Sequence, residues 1–273
     1  MKPDENAPRI YIPSRSNPGA ALGIGDPFSE SATQTDPPRT VHPVGYKSDI
    51  DQNQAEEVCS KLDGAYVFPA VAAVVDITTT NAQDGPGGTG IRTLWVEGTD
   101  STGAWQGEIV TTPAIAGLVQ TENEYLRINA IYGLTCGTDG GANAAINIAH
   151  PTGTGAGAIA IGTGALQNCI YTVPLNYKLI VTEWAAQLRF VVIAQATSTS
   201  LLVTLRARRS GGPWIFKDAF MVSSMYLPYA NQVLETPFVF PAQTDVVILA
   251  SAATADQQQV AAGFGGYLVK TKV

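Results

Sequence analysis

The sequence predicts an all-β protein: an antiparallel β-sandwich or jelly-roll body with a long extended N-terminal arm. Three observations carry this. Apolar residues come in short runs separated by Gly, Asn, Asp, Thr and Pro, with 27 Gly and 17 Pro in 273 residues, the punctuation of a strand-and-turn chain. Charged residues make up 14%, too few for a long-helix or disordered protein, while 45% hydrophobic content suffices for a packed core. No helical pattern of 10–15 residues alternates with the strands, which excludes a parallel α/β sheet.

The arm covers residues 1–60. Eight of the 17 prolines (Pro3, Pro8, Pro13, Pro18, Pro27, Pro37, Pro38 and Pro43) fall in it, each fixing its own φ and biasing its predecessor toward extended backbone. Charge gathers there too, and no stretch before residue 50 keeps a helical or strand period. Its apolar residues Ile10, Tyr11, Ile12, Leu22, Ile24 and Phe28 are too sparse for a core; they are the candidate partner-binding residues, expected to order on a neighbour. The run DIDQNQAEEVCSKL (49–62) is a helix candidate ended by Gly64.

The body spans 61–273 and divides into sub-domains at about 64–166 and 167–273. Strands are expected over 67–77, 91–97, 105–111, 125–135, 146–149, 169–173, 179–184, 190–194, 201–208, 214–221, 233–240, 246–251 and 260–269. In one run Leu201, Val203, Leu205 and Ala207 oppose Thr204, Arg206 and Arg208; in another Leu126, Ile128, Ala130, Tyr132 and Leu134 oppose Arg127 and Asn129. The turn Arg209-Ser210-Gly211-Gly212-Pro213 makes 201–208 and 214–221 a hairpin. Between Asp139 and Lys178 no residue is charged; burial between subunits, as in a homotrimer, is the favoured explanation.

A net charge of −7 and a pI near 4.8 argue against nucleic acid, whose phosphates need a basic face. The longest apolar stretch, 67–75, is interrupted by Pro69, so no membrane span is expected. The start MKPDENAPRI lacks an apolar core, so no secretory signal is expected. Cys59, Cys136 and Cys169 are odd in number and far apart, fitting thiols of a protein folded in a reducing cytoplasm, with Cys136 and Cys169 read as small core residues.

GPGGTG (85–90) has dinucleotide-loop spacing but leads into a strand, leaving no helix N-terminus for a pyrophosphate. The two histidines, His42 and His150, have no acidic or cysteine neighbour at catalytic or zinc spacing. Glu97, Asp100, Glu122 and Glu124 read as solvated strand ends and turns, and Asp139 with Asn143 falls short of a calcium loop. No catalytic, cofactor or metal residue is therefore assigned. Arg206, Arg208 and Arg209, with Arg189 and Lys217, are the basic concentration, read as edge-protecting charges or as intersubunit or carboxylate-binding contacts. Trp95, Trp105, Trp184 and Trp214 lie in strands as core or interface anchors.

Five stretches taken together, GTGIRTLWVEGTDSTG (88–103), EYLRINAIYGLTCGTDGGANAAINI (124–148), QNCIYTVPLNYKLIVTEW (167–184), LLVTLRARRSGGPWIFKDAF (201–220) and FPAQTDVVILASAATADQQQVAAGFGGYLV (240–269), resemble a group of virion structural proteins of tailed bacteriophages. The resemblance covers about residues 65–269 and lies in the series rather than in any one motif. It implies a β-sandwich body, no enzymatic activity and no cofactor. The expectation is a capsid decoration or cement protein, assembled in the host cytoplasm and located in the virion. Its partners would be the major capsid protein or other virion proteins, and it would form a homotrimer. The alternatives are a tail, baseplate or fibre-base component, or a host-glycan-binding module, which would need an exposed Trp beside carboxylates.

Overall fold

The computed structural model describes residues 38–50, 55–58, 66–113, 117–152, 157–189, 200–223, 228–252 and 258–271. Their regular structure is all β, in antiparallel sheets. None of their segments is a helix long and apolar enough to cross a membrane.

The larger core lies between two five-stranded sheets. In the first, β1 (Arg39–Val41) and β2 (Val44–Ile50) lie on one side of β17 (Gln258–Lys270), followed by β12 (Tyr177–Arg189) and β15 (Tyr229–Phe240). In the second, β3 (Glu56–Glu57) and β11 (Ile170–Thr172) share one side of β16 (Thr244–Ala252), followed by β13 (Ser200–Arg209) and β14 (Ile215–Ser223). From β12 to β17 the chain crosses between sheets at every step except the β13–β14 hairpin, which matches the wiring of an eight-stranded jelly roll. Period-two alternation fills the space between the sheets: Leu201, Val203, Leu205 and Ala207 of β13 meet Leu179, Val181, Trp184 and Ala186 of β12. An extra residue at Thr182 shifts the β12 register, so its inward set passes from odd to even numbers. The Trp184 ring lies 4.1 Å from Phe220, and its indole N–H donates to Asp218 Oδ2 at 3.1 Å.

The edge strand of the second sheet is interrupted. The chain runs along β16 through β3 as far as Val58, whose N–H donates to Ile248 O (2.9 Å), leaves the sheet, and returns at Cys169, whose N–H donates to Val58 O (3.0 Å). The intervening residues build a second sandwich. One of its sheets orders β10 (Gly157–Ile159), β9 (Ile146–Ala149), β4 (Asp76–Thr78) and β7 (Leu118–Gln120); the other orders β6 (Trp105–Thr111), β5 (Ile91–Thr99) and β8 (Arg127–Cys136). Its separate core contains Val75, Ile77, Leu94, Val96, Ile131, Ile146 and Ile159. A small third cluster, Tyr66, Ile170, Val247 and Leu249 with Phe68 and Trp214, covers part of the outer face of the second sheet.

Several expectations change. Residues 39–50 belong to the jelly roll, because the side of β17 satisfies their backbone groups while Val41 and Ile50 become buried. Pro43 falls between β1 and β2, where no ladder N–H is required. The helix expected over 49–62 is replaced, in its described part, by the end of β2 and by β3; burial of Ile50 and Val58 and pairing with β16 override local propensity. Residues 51–54, 59–62 and the strand expected at 190–194 lie outside the described residues. The strand expected over 67–77 is reduced to β4 and an isolated bridge at Ala73, with Pro69 breaking the run. The uncharged tract packs within its own chain, placing Ala142, Ile146, Ile148, Ile159 and Leu166 in the core of the inserted sandwich.

Candidate functional site

The junction between the two sandwiches is the most developed polar site. Register shifts in the β5–β8 pair leave Asn129 as an extra residue between Ile128, opposite Gly98, and Ala130, opposite Glu97. A bulge of this kind re-aims a side chain, and it also breaks the alternation expected for this strand: Ile128 and Ile131 are buried, while Tyr132 and Leu134 are exposed. The amide of Asn129 reaches the edge of the jelly roll, accepting from Thr172 N–H (2.8 Å) and donating to Thr172 O (2.9 Å).

Beside it sits Asp245, buried at the start of β16. Its Oδ1 accepts from Arg127 Nε at 3.2 Å and from the Thr172 hydroxyl at 2.7 Å, and its Oδ2 accepts from Arg208 Nε at 3.1 Å. Arg127 Nη1 also donates to Pro69 O (2.6 Å) and Leu126 O (2.9 Å). The Arg208 guanidinium lies 4.4 Å from the ring centroids of both Phe68 and Trp214. One carboxylate thus pairs with an arginine from each sandwich. Burial pushes the neighbouring Tyr171 phenol well above its ordinary pKa. The arrangement holds two domains in one orientation, and its donors are taken up by carboxylate and carbonyl oxygens of the chain instead of converging on an open cavity.

Arg206, Arg208 and Arg209 are therefore not one patch. Arg208 is engaged inside the chain, Arg206 is half-buried on β13, and Arg209 is exposed at the hairpin turn. Arg209 lines an open cleft of about 590 Å³ with Tyr177, Lys178, Gln243 and Thr271. Ile10, Tyr11, Ile12, Leu22, Ile24 and Phe28 lie outside the described residues.

The GPGGTG loop precedes strand β5 and wraps the buried Asp84. That carboxylate accepts from the backbone N–H groups of Ile91 (3.2 Å), Asn143 (2.9 and 3.1 Å to its two oxygens) and Ala144 (2.8 Å). A Cβ on Gly90 would collide with it. His150 is buried, with Nε2 at 2.7 Å from Tyr125 O and Nδ1 beside Thr152. His42 lies instead on the outer face of the first sheet, in a trough shared with Glu183, Tyr229 and Asn231. Cys169 is buried, but Cys136 is exposed at the end of β8, correcting its reading as a core residue. Among the described residues no three His, Cys, Asp or Glu side chains are grouped to hold a metal.

Two exposed surfaces remain. On the outer face of the three-stranded sheet, half-buried Trp95 stands between its cross-strand neighbours Ile109 and Tyr132. Its ring covers Gly107, and its indole N–H points to Glu97 Oε2 at 3.4 Å. On the jelly roll, large apolar side chains are exposed along β14 and β15, among them Phe216, Met221 and Val233. Sequence reasoning missed Asp245, Thr172 and Asn129; the available signal was an isolated acid opening the apolar run DVVILA. No protein-family model matches this chain, and a search of curated proteins finds none similar to it.

Proposed function

We propose that this chain is a non-enzymatic structural protein of a tailed-phage particle, a decoration or cement protein that binds the major capsid lattice as a homotrimer. The observation that carries the reading is where the large apolar side chains are exposed: on flat strand faces and edges of a jelly roll clamped to a second sandwich. Exposed apolar surface on flat, rigid elements suits packing against other proteins. The resemblance of residues 65–269 to phage virion proteins supports the same reading. Residues 1–37 would supply the attachment, with Tyr11 and Phe28 filling pockets on neighbouring shell subunits, and many copies would offset the entropic cost of ordering them.

Quantitative peptide mass spectrometry of purified particles tests this. A copy number on the order of one to a few per major capsid subunit is the expected result. A handful of copies per particle would overturn the lattice role and move the protein to the tail or a single vertex.

A second reading, host-glycan binding, is favoured by Trp95 with Tyr132 and Glu97, a ring platform beside a carboxylate. Quenching of Trp fluorescence by host-surface polysaccharide, lost in Trp95→Ala, is its expected signature. Unchanged fluorescence with the host's polysaccharide would refute it.

A further inference from the structure

At one end of the jelly roll several chain segments meet around the open cleft of about 590 Å³. Tyr177 and Lys178 begin β12, Arg209 ends β13, Pro241 to Gln243 turn from β15 into β16, and Thr271 follows β17. The volume lies within the usual range of ligand sites, roughly 300–1,000 Å³. Its floor is held from both sandwiches. Gln243 is in the left-handed conformation (φ 57°), which a residue with a side chain keeps only where its surroundings enforce it. Its N–H donates to Val173 O (2.8 Å), its carbonyl accepts from Ser210 N–H (2.9 Å), and its Nε2 donates to Thr102 O (2.8 Å) in the β5–β6 turn. Asn176, at φ 65°, accepts from Thr271 N–H (2.8 Å). The cleft is therefore preformed, and a ligand orders little of the chain on entering it.

Its charge is opposite to that of the chain. The formal net charge is −7, yet the described residues lining the cleft include the cations Lys178 and Arg209 and no acid. Lys270, the register partner of Tyr177, brings further positive charge to this end. The acids of the adjoining segments are engaged elsewhere. Asp100 accepts from Thr102 and Ala104 within its own turn, and Asp245 lies between Arg127 and Arg208. Arg209 is exposed, and a guanidinium presents a planar fork that matches a carboxylate. Tyr177, Ser210 and Thr271 add hydroxyls, and Val239, Pro241 and Ala242 an apolar wall.

We infer that this cleft binds an acidic peptide segment of a partner protein, with one carboxylate on Arg209 and another beside Lys178. The inference rests on the assembly reading above and names a partner site on the body, apart from the arm. Charge complementarity selects the occupant. An extended polyanion such as nucleic acid needs a continuous basic face, and the chain as a whole is acidic. A short segment carries its negative charge only where the cations are, and lays its backbone and methyl groups on the apolar wall.

Fluorescence anisotropy of the full chain with labelled hexapeptides, two glutamates placed at every spacing among alanines, is the test. At low salt the best of them is expected to bind about tenfold more tightly than its glutamine counterpart, the ratio that two exposed charge pairs supply. Arg209→Ser is expected to remove most of that preference. Arg206→Ser, which loses the same charge from the outer face of the second sheet, is expected to retain it. If Arg209→Ser fails to fold, hydrogen exchange of the wild type decides: the peptide should slow exchange at 209–213 and 241–245 and leave 84–92 unchanged. The inference is overturned by a wild type without glutamate preference, by an equal loss in Arg206→Ser, or by a preference kept in folded Arg209→Ser. Tighter binding of inorganic polyphosphate than of any glutamate peptide also overturns it. Particle copy number judges the virion reading separately, so either can fail without the other.

Discussion

Replacing Asp84 with alanine is expected to destabilise the inserted sandwich by about 3–4 kcal/mol. Asp84 has no exposed surface and, among the described residues, no cationic partner; backbone N–H groups and the Thr79 hydroxyl surround it. Removing its carboxylate strands the N–H groups of Ile91, Asn143 and Ala144 in the interior. Each buried donor left without an acceptor costs about 1–3 kcal/mol, and three of them at the low end, where water can enter the vacated space, give the figure above. Asp84→Asn keeps one carbonyl oxygen but turns an amide N–H₂ toward a donor, so about 2 kcal/mol is expected. Urea unfolding gives the free energies. Hydrogen-exchange mass spectrometry of peptides covering 84–92 and 140–146 locates the change. A loss below about 1 kcal/mol, or unchanged exchange at 143 and 144, would refute the view that this carboxylate joins the glycine loop to the loop before β9.

Three further outcomes follow from the same geometry. Asp245→Ala leaves Arg127 buried and without its carboxylate, and breaking a buried pair in this way typically costs about 3–5 kcal/mol; an Arg127→Ala, Asp245→Ala double-mutant cycle with no coupling would contradict the clamp. In the β5–β6 hairpin, burial tends to raise the Asp100 pKa, but hydrogen bonds from Thr102 and Ala104 outweigh it and hold the carboxyl below its ordinary value of 3.8. Its stabilisation is therefore complete above the ordinary carboxylate range and is lost as pH falls through the depressed folded value. Tm should drop more steeply below about pH 4 in the wild type than in Asp100→Asn, and identical curves would remove the effect. In a Cys59→Ser background, a thiol reagent should label one cysteine, Cys136, in the native protein and Cys169 only after unfolding; two equivalents before unfolding would show that Cys169 is accessible.

Local pattern was enough for much of the fold. Strands β6 and β9 fall where short apolar runs between turn residues put them, and Leu201 to Ala207 face the core as their period requires. The β13–β14 hairpin follows from a glycine turn, with Gly211 at φ 73°. These are properties of neighbouring residues, and chain stiffness and side-chain period act within one strand.

Other features depended on partners distant in sequence. Three-residue strands such as β1 and β7 have no period to read, and they exist because β17 and β4 have backbone groups to satisfy. Nothing near residue 58 signals that the same strand edge resumes at Cys169, 111 positions later. The bulge at Asn129 inverted an alternation that the sequence displayed plainly, because pairing with β5 and the reach to Thr172 set the register. The uncharged tract was legible as buried, but only packing decided against what. By composition and period, the sequence determined an acidic, turn-rich, antiparallel β chain. Tertiary structure decided which edges meet, where one sandwich interrupts the other, and that Arg208 faces Asp245 inside the chain, since long-range pairing and desolvation depend on residues no local window contains.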